Sequence, residues 1–117
     1  MGRITNPERY LDTAAIEKVV AIASFHSQVP NENVKPHTFA IADIHGMDES
    51  LLALLELVTA ECVEKERTGN KFIFLGDYVD RGPGVAQVIA IVRLLQELMP
   101  KGKVTTLTGS TIFSRKI

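Results

Sequence analysis

The sequence is short of cysteine, of net charge and of long apolar runs. Its single cysteine, Cys62, excludes an internal disulfide framework and fits a reducing cytoplasm. A formal net charge of -1 and a pI near 6.3 provide neither a broad basic surface for nucleic acid nor an acidic tail. No apolar stretch reaches the roughly 18 residues that a membrane span needs. The nearest, AAIEKVVAIASF at 14–25, is short and is broken by Glu17 and Lys18. Glu8, Asp12 and Glu17 stand where a signal peptide carries positive charge, so a cytoplasmic protein is expected. Internal repeats and low-complexity tracts are absent. No G-x-G-x-x-G follows the first apolar run and no G-x-x-x-x-G-K-[ST] occurs anywhere. A nucleotide-binding α/β domain of either type is therefore disfavoured.

What is present suits one small soluble domain. The chain has 117 residues, 45% hydrophobic and 23% charged, enough for a single core. Residues 1–9 are polar and expected to fray. Residues 12–27 have a helical pattern, with Ile16, Val19, Val20 and Ala23 spaced at three and four. The stretch QVPNENVKPH at 28–37 holds two prolines and two asparagines and predicts a connection. It divides an N-terminal extension, 1–36, from a main body, 37–117.

The main body alternates. TFAIA at 38–42 predicts a buried strand. A helix follows from Asp48 to about Arg67, with Leu51, Leu54, Leu55, Val58 and Cys62 on one stripe. Asp48 is the expected N-cap and Gly69 the expected stop. KFIFL at 71–75 predicts a second strand. Pro83 opens a further helix that turns Val85, Val88, Ile89, Val92 and Leu95 inward and ends before Pro100. KVTTLT at 103–108 predicts a third strand. The order β-α-β-α-β, with continuous apolar strands, points to a parallel α/β sheet covered by helices.

In such a sheet the carboxyl ends of the strands share one edge, where ligands bind. Here that edge receives ADIHG at 42–46, GDYVDRG at 76–82 and TGST at 108–111. It collects Asp43, His45, Asp77, Asp80 and Arg81. Asp43 and His45 are two apart, so in extended chain both side chains point one way. A carboxylate and an imidazole so placed make a two-armed metal clamp, and Asp77 could add a third oxygen. An Asp-His-Asp set suits Mn, Fe or Zn rather than Mg or Ca. The guanidinium of Arg81 offers a planar fork for phosphate oxygens. Gly76 and Gly82 let the backbone turn on either side of the acids.

Taken singly, each of these residues has a plainer reading. An isolated D-x-H is common, and Asp80 beside Arg81 could be a solvated pair. His26 and His37 are read as non-functional, and Cys62 as core. It is the combination, each block directly after a predicted strand with one helix between them, that favours a metal site.

AIADIHG at 40–46 and FLGDYVDRG at 74–82 resemble the first two signature blocks of the calcineurin-like metallophosphoesterases. They are most similar to the phosphoprotein phosphatase branch and its bacterial relatives, among them serine/threonine phosphatases and diadenosine tetraphosphatases. The resemblance covers roughly residues 38–109. It implies that Asp43 and His45 hold a first metal ion and that Asp77 bridges two. It implies that Asp80 orients a catalytic histidine, that Arg81 grips the substrate phosphate, and that water attacks phosphorus directly. The implied fold is the first, βαβαβ half of a β-sandwich flanked by helices.

The third block departs from the pattern. The family's G-N-H-[E/D] is replaced by Gly109-Ser110-Thr111-Ile112. Ser110 stands in place of a second-metal asparagine and Thr111 in place of the general-acid histidine. The expectation is a truncated domain that keeps one metal site, Asp43, His45 and Asp77, and is weakly active or inactive. The expected substrate is a phosphorylated protein side chain, with a dinucleoside polyphosphate as the alternative. A non-catalytic remnant that binds one metal or a partner is the competing reading. No nucleic-acid or membrane partner is expected, and the exposed sheet edge invites self-association.

Overall fold

The computed structural model describes residues 7–42, 48–75 and 85–107. Within them lie three helices and three strands: α1 (Thr13–His26), β1 (Thr38–Ile41), α2 (Asp48–Glu64), β2 (Lys71–Leu75), α3 (Val85–Leu98) and β3 (Val104–Leu107). A 3-10 turn, Pro7–Tyr10, precedes them and packs on α3. This ordered turn replaces the fraying expected of residues 7–9.

The strands form one parallel sheet in the order β1-β2-β3, so the mixed α/β architecture is as read from the sequence. Thr38 pairs with Lys71 and Ile41 with Phe74, while Phe72 pairs with Val104 and Leu75 with Leu107. Side chains alternate across a sheet, and here the two faces have different fates. Phe72 and Phe74 are wholly buried, with Ile41 and Val104 beside them on the same face. Burying each phenylalanine contributes about 1.5–3 kcal/mol. On the other face Ala40, Lys71, Thr105 and Leu107 are exposed, and Ile73 and Leu75 are half-buried. Right-handed crossovers in sequential strand order put α2 and α3 on one side, which is the side that β2 buries.

α3 is the centre of the helical layer. Val88, Ile89, Ala90, Ile91, Val92, Leu94, Leu95 and the following Met99 are all buried. That is more than the single stripe its sequence suggests, because α1 and the 3-10 turn cover its outer side. α1 adds Val19, Ile22, Ala23 and His26 to the same core. Asp12 caps α1 by accepting from the Ala15 amide at 2.8 Å. One stripe assignment does not hold, since Leu54 is 41% exposed, and Val20 on α1 also faces outward. The true contact stripes run through Ile22 on α1 and through Leu51 and Leu55 on α2.

α2 ends earlier than expected and by another residue. Glu66 takes a left-handed conformation, φ 55°. The Arg67 amide donates back to Cys62 at 2.8 Å and the Glu66 amide to Val63 at 3.1 Å. This is a Schellman closure with a glutamate where glycine is usual. Gly69, the expected stop, has a different task. Its φ is +73°, and a Cβ built there would lie 2.4 Å from Cγ of Pro30. It lets the loop between α2 and β2 press flat against the connection between α1 and β1.

Those two connections are laced together. The Thr68 hydroxyl donates to the Val29 carbonyl at 2.8 Å, and Arg67 donates to the Lys35 carbonyl at 2.8 Å. The Gly69 amide donates to the His26 carbonyl at 3.1 Å. All of this lies at the amino ends of the strands. Gly69→Ala is expected to cost about 2–3 kcal/mol, since left-handed backbone and contact with a rigid proline ring both oppose it. Melting of the variant should fall by roughly 10 °C; an unchanged Tm would contradict the close packing of these loops.

Candidate metal centre

The opposite edge belongs to the strand carboxyl ends. The register brings them level: Ile41 pairs with Phe74 and Leu75 with Leu107. β1 and β2 are direct neighbours, about 4.8 Å apart. From their ends the chain continues into residues 43–47 and 76–84, and then into α2 at Asp48 and α3 at Val85. Both helices thus start from this edge and run back along the sheet. Their amino termini, with partial positive charge, favour an anion there.

Asp43, His45, Asp77, Asp80 and Arg81 all lie outside the described residues. So do Ser110 and Thr111. What the described residues fix is the point of departure. Asp43 follows Ile41 by two residues, and Asp77 follows Leu75 by two. Each Cα is therefore within roughly 7.6 Å of the Cα of its strand-terminal residue. The donor chemistry fits a divalent transition metal, since two carboxylates and one imidazole leave from adjacent strand ends. Such an ion would supply Lewis acidity toward a phosphoryl oxygen. Among the described residues no group of three His, Cys, Asp or Glu side chains could hold a metal ion.

His26 and Cys62, the titratable groups shifted by burial, do not compete for this role. His26 is fully buried at the far edge, and burial lowers its pKa to about 4. Burial likewise raises the Cys62 thiol, with Arg67 opposing, which makes it a poor nucleophile or ligand. An apolar groove of about 570 Å³ runs between α1 and α2, lined by Ala14, Ile22, Phe25, Ala60 and Val63 among others. Lys18 and Glu56 pair across its rim at 3.9 Å, half exposed, which adds little stability. The buried role of His26 was not legible in advance. Its partners, Thr59 and Asn70, are 33 and 44 residues away.

A family model for calcineurin-like phosphoesterases matches residues 37–110, which include both signature blocks and all five candidate residues. The chain belongs to the calcineurin-like phosphoesterase family. It is also 31% identical over 87 residues to an uncharacterized protein of Caenorhabditis elegans. That alignment takes in 70% of this chain and 34% of the relative, so the chain spans about a third of the length of the curated relative it matches. As a calcineurin-like phosphoesterase it carries the sheet of that fold in part, with three helices against one face. α1 lies before the matched segment, yet it shares the segment's core.

Membership makes the metal assignment testable by binding alone. Titration with Mn²⁺ should show one site. His45→Ala and Asp77→Asn should each weaken it by at least about tenfold, because each removes a ligand from a set of three. Unchanged affinity in both variants would contradict the assignment.

Proposed function

We propose that this chain carries the first metal site of a phosphoesterase, with Asp43, His45 and Asp77 as ligands. Asp80 and Arg81 serve the phosphate beside it. The observation that carries the reading is the parallel register of β1 and β2, which sends D-x-H and G-D-x-x-D-R-G out from adjacent strand ends. Within the family, the G-D-x-x-D-R-G block favours the phosphoprotein phosphatase branch, and hence a phosphoserine or phosphothreonine monoester as substrate. A dinucleoside polyphosphate would use the same chemistry. Manganese, or iron with zinc, suits the mixed oxygen and nitrogen donors. We place the protein in the cytoplasm, in keeping with its lone cysteine.

In this reading Arg81 neutralises phosphate charge and fixes its orientation through paired N–H donors. Asp80 precedes Arg81 in the sequence, but the residue it would orient, at position 111, is threonine rather than histidine. Leaving-group protonation therefore has no donor in the third block. That observation favours weak activity, or binding without turnover, for this chain. Self-association through the outer edges of β1 and β3 is part of the same proposal, since among the described residues each has one neighbour in the sheet.

The test is hydrolysis of p-nitrophenyl phosphate with Mn²⁺. At most a trace above the metal-only blank is expected, and Asp77→Asn should remove it. Fast turnover that Asp77→Asn abolishes would contradict the weakened site and indicate a complete one. Turnover indifferent to Asp77→Asn would contradict the site altogether.

A further inference from the structure

Among the described residues, one histidine inside the core is held by a closed set of hydrogen bonds, at the edge of the sheet away from the candidate metal centre. His26 ends α1 with none of its surface exposed. Its Nδ1 is 2.8 Å from Nδ2 of Asn70, and its Nε2 is 3.0 Å from Oγ1 of Thr59. The Thr59 hydroxyl spends its proton on the Leu55 carbonyl at 2.7 Å. It can therefore only accept from His26, which puts the ring proton on Nε2. Asn70 Nδ2 is a donor, so His26 Nδ1 accepts. The second Nδ2 proton goes to the Arg67 carbonyl at 2.7 Å, and Oδ1 accepts from the His37 amide at 2.9 Å. Asn70 is itself fully buried. Every polar atom of both side chains has a partner, in a single proton arrangement.

We propose that His26 is an acid-operated latch on α1: with one proton, on Nε2, its ring clamps α1 to α2 and to the start of β2, and a second proton on Nδ1 releases it. A proton on Nδ1 would face the Asn70 amide protons. Turning the amide over to present its oxygen would lose the bonds to Arg67 and His37 together. The network holds no other acceptor for that proton, and an unpaired buried charge is costly.

The charged groups around the ring do not soften this. On α1, Lys18 pairs with Glu56 of α2. Glu17 and Glu61 are exposed, and Cys62 is a buried thiol. In the loop before β2, Glu66 accepts from Asn31 and Arg67 donates to Lys35. Lys103, before β3, donates to the Gly69 carbonyl, and Lys71 is exposed at the head of β2. The His37 ring packs against Phe39. Phe25 and Phe72 pack against the His26 ring in T-shaped contacts, centroids 5.1 and 4.8 Å away.

Burial lowers the folded-state pKa of His26 from 6.5 to about 4. The direction sets the window. A histidine whose folded pKa lies below its free value stabilises the closed state fully above about pH 6.5, and that contribution is lost as pH falls toward 4. Release would uncover Val19, Ile22 and Ala23 together with the core beneath them. The latch involves none of the proposed metal ligands, so it stands or fails separately from the phosphoesterase reading.

The experiment is hydrogen exchange on the full chain at pH 7, 6 and 5, corrected for intrinsic exchange rates. Protection of the α1 amides should fall roughly tenfold per pH unit below about 6.5, one proton being taken up per opening. Protection of β2 and α3 should stay higher. His26→Gln should make α1 protection independent of pH. On the unmodified chain, ¹⁵N shifts of the His26 ring should show the Nε2–H form, untitrated at pH 5.5. This readout decides the matter if His26→Gln does not fold. Titration of His26 near 6.5, an Nδ1–H ring, pH-independent α1 protection, or α1 losing protection in step with β2 and α3 would each overturn the latch.

Discussion

The structure depends on Phe72 and Phe74 lying on one face of the central strand. Because β2 has neighbours on both sides, its two rings set which face of the whole sheet is dry. Phe39 stacks on Phe72 and Phe72 on Phe74, at 5.6 and 6.2 Å, so the ring row crosses from β1 and then runs along β2. The helices collect on that face, and α3, packed there beneath α1, is buried almost all round. The opposite face keeps Ala40, Ile73, Leu75 and Leu107 with no layer over them among the described residues. A sheet dried on one side only is what half of a sandwich requires.

The two edges of the sheet have separate duties. At the amino ends of the strands, hydrogen bonds, the Gly69–Pro30 contact and the buried pair His26–Asn70 fix the loops. Burial there keeps His26 from taking up a proton. At the carboxyl ends the strands finish level and release the acids, the imidazole and the arginine of the two signature blocks. β2 joins the two edges in five residues.

Much of this was legible in the residues themselves. Strand positions followed from short apolar runs bounded by polar loops, and the α3 stripe followed from spacing. The errors share a physical origin. Glycine is the usual left-handed stop, yet Glu66 took that place while Gly69 was needed against Pro30. Leu54 fell on the α2 stripe by period, but the direction from which the helices meet turned it outward. The 3-10 turn at Pro7–Tyr10 gains its order from α3, a partner that local sequence does not announce. The candidate site was legible as chemistry, through acids placed directly after strands. Its geometry depends on segments outside the described residues.

The central claim is that the ends of β1 and β2 together hold a metal ion through Asp43, His45 and Asp77. The most direct measurement is anomalous X-ray scattering from crystals of the full chain grown with Mn²⁺. The account predicts a peak within about 2.3 Å of both carboxylates and the imidazole, beyond Ile41 and Leu75. A peak elsewhere, or none with all three side chains ordered, would contradict it.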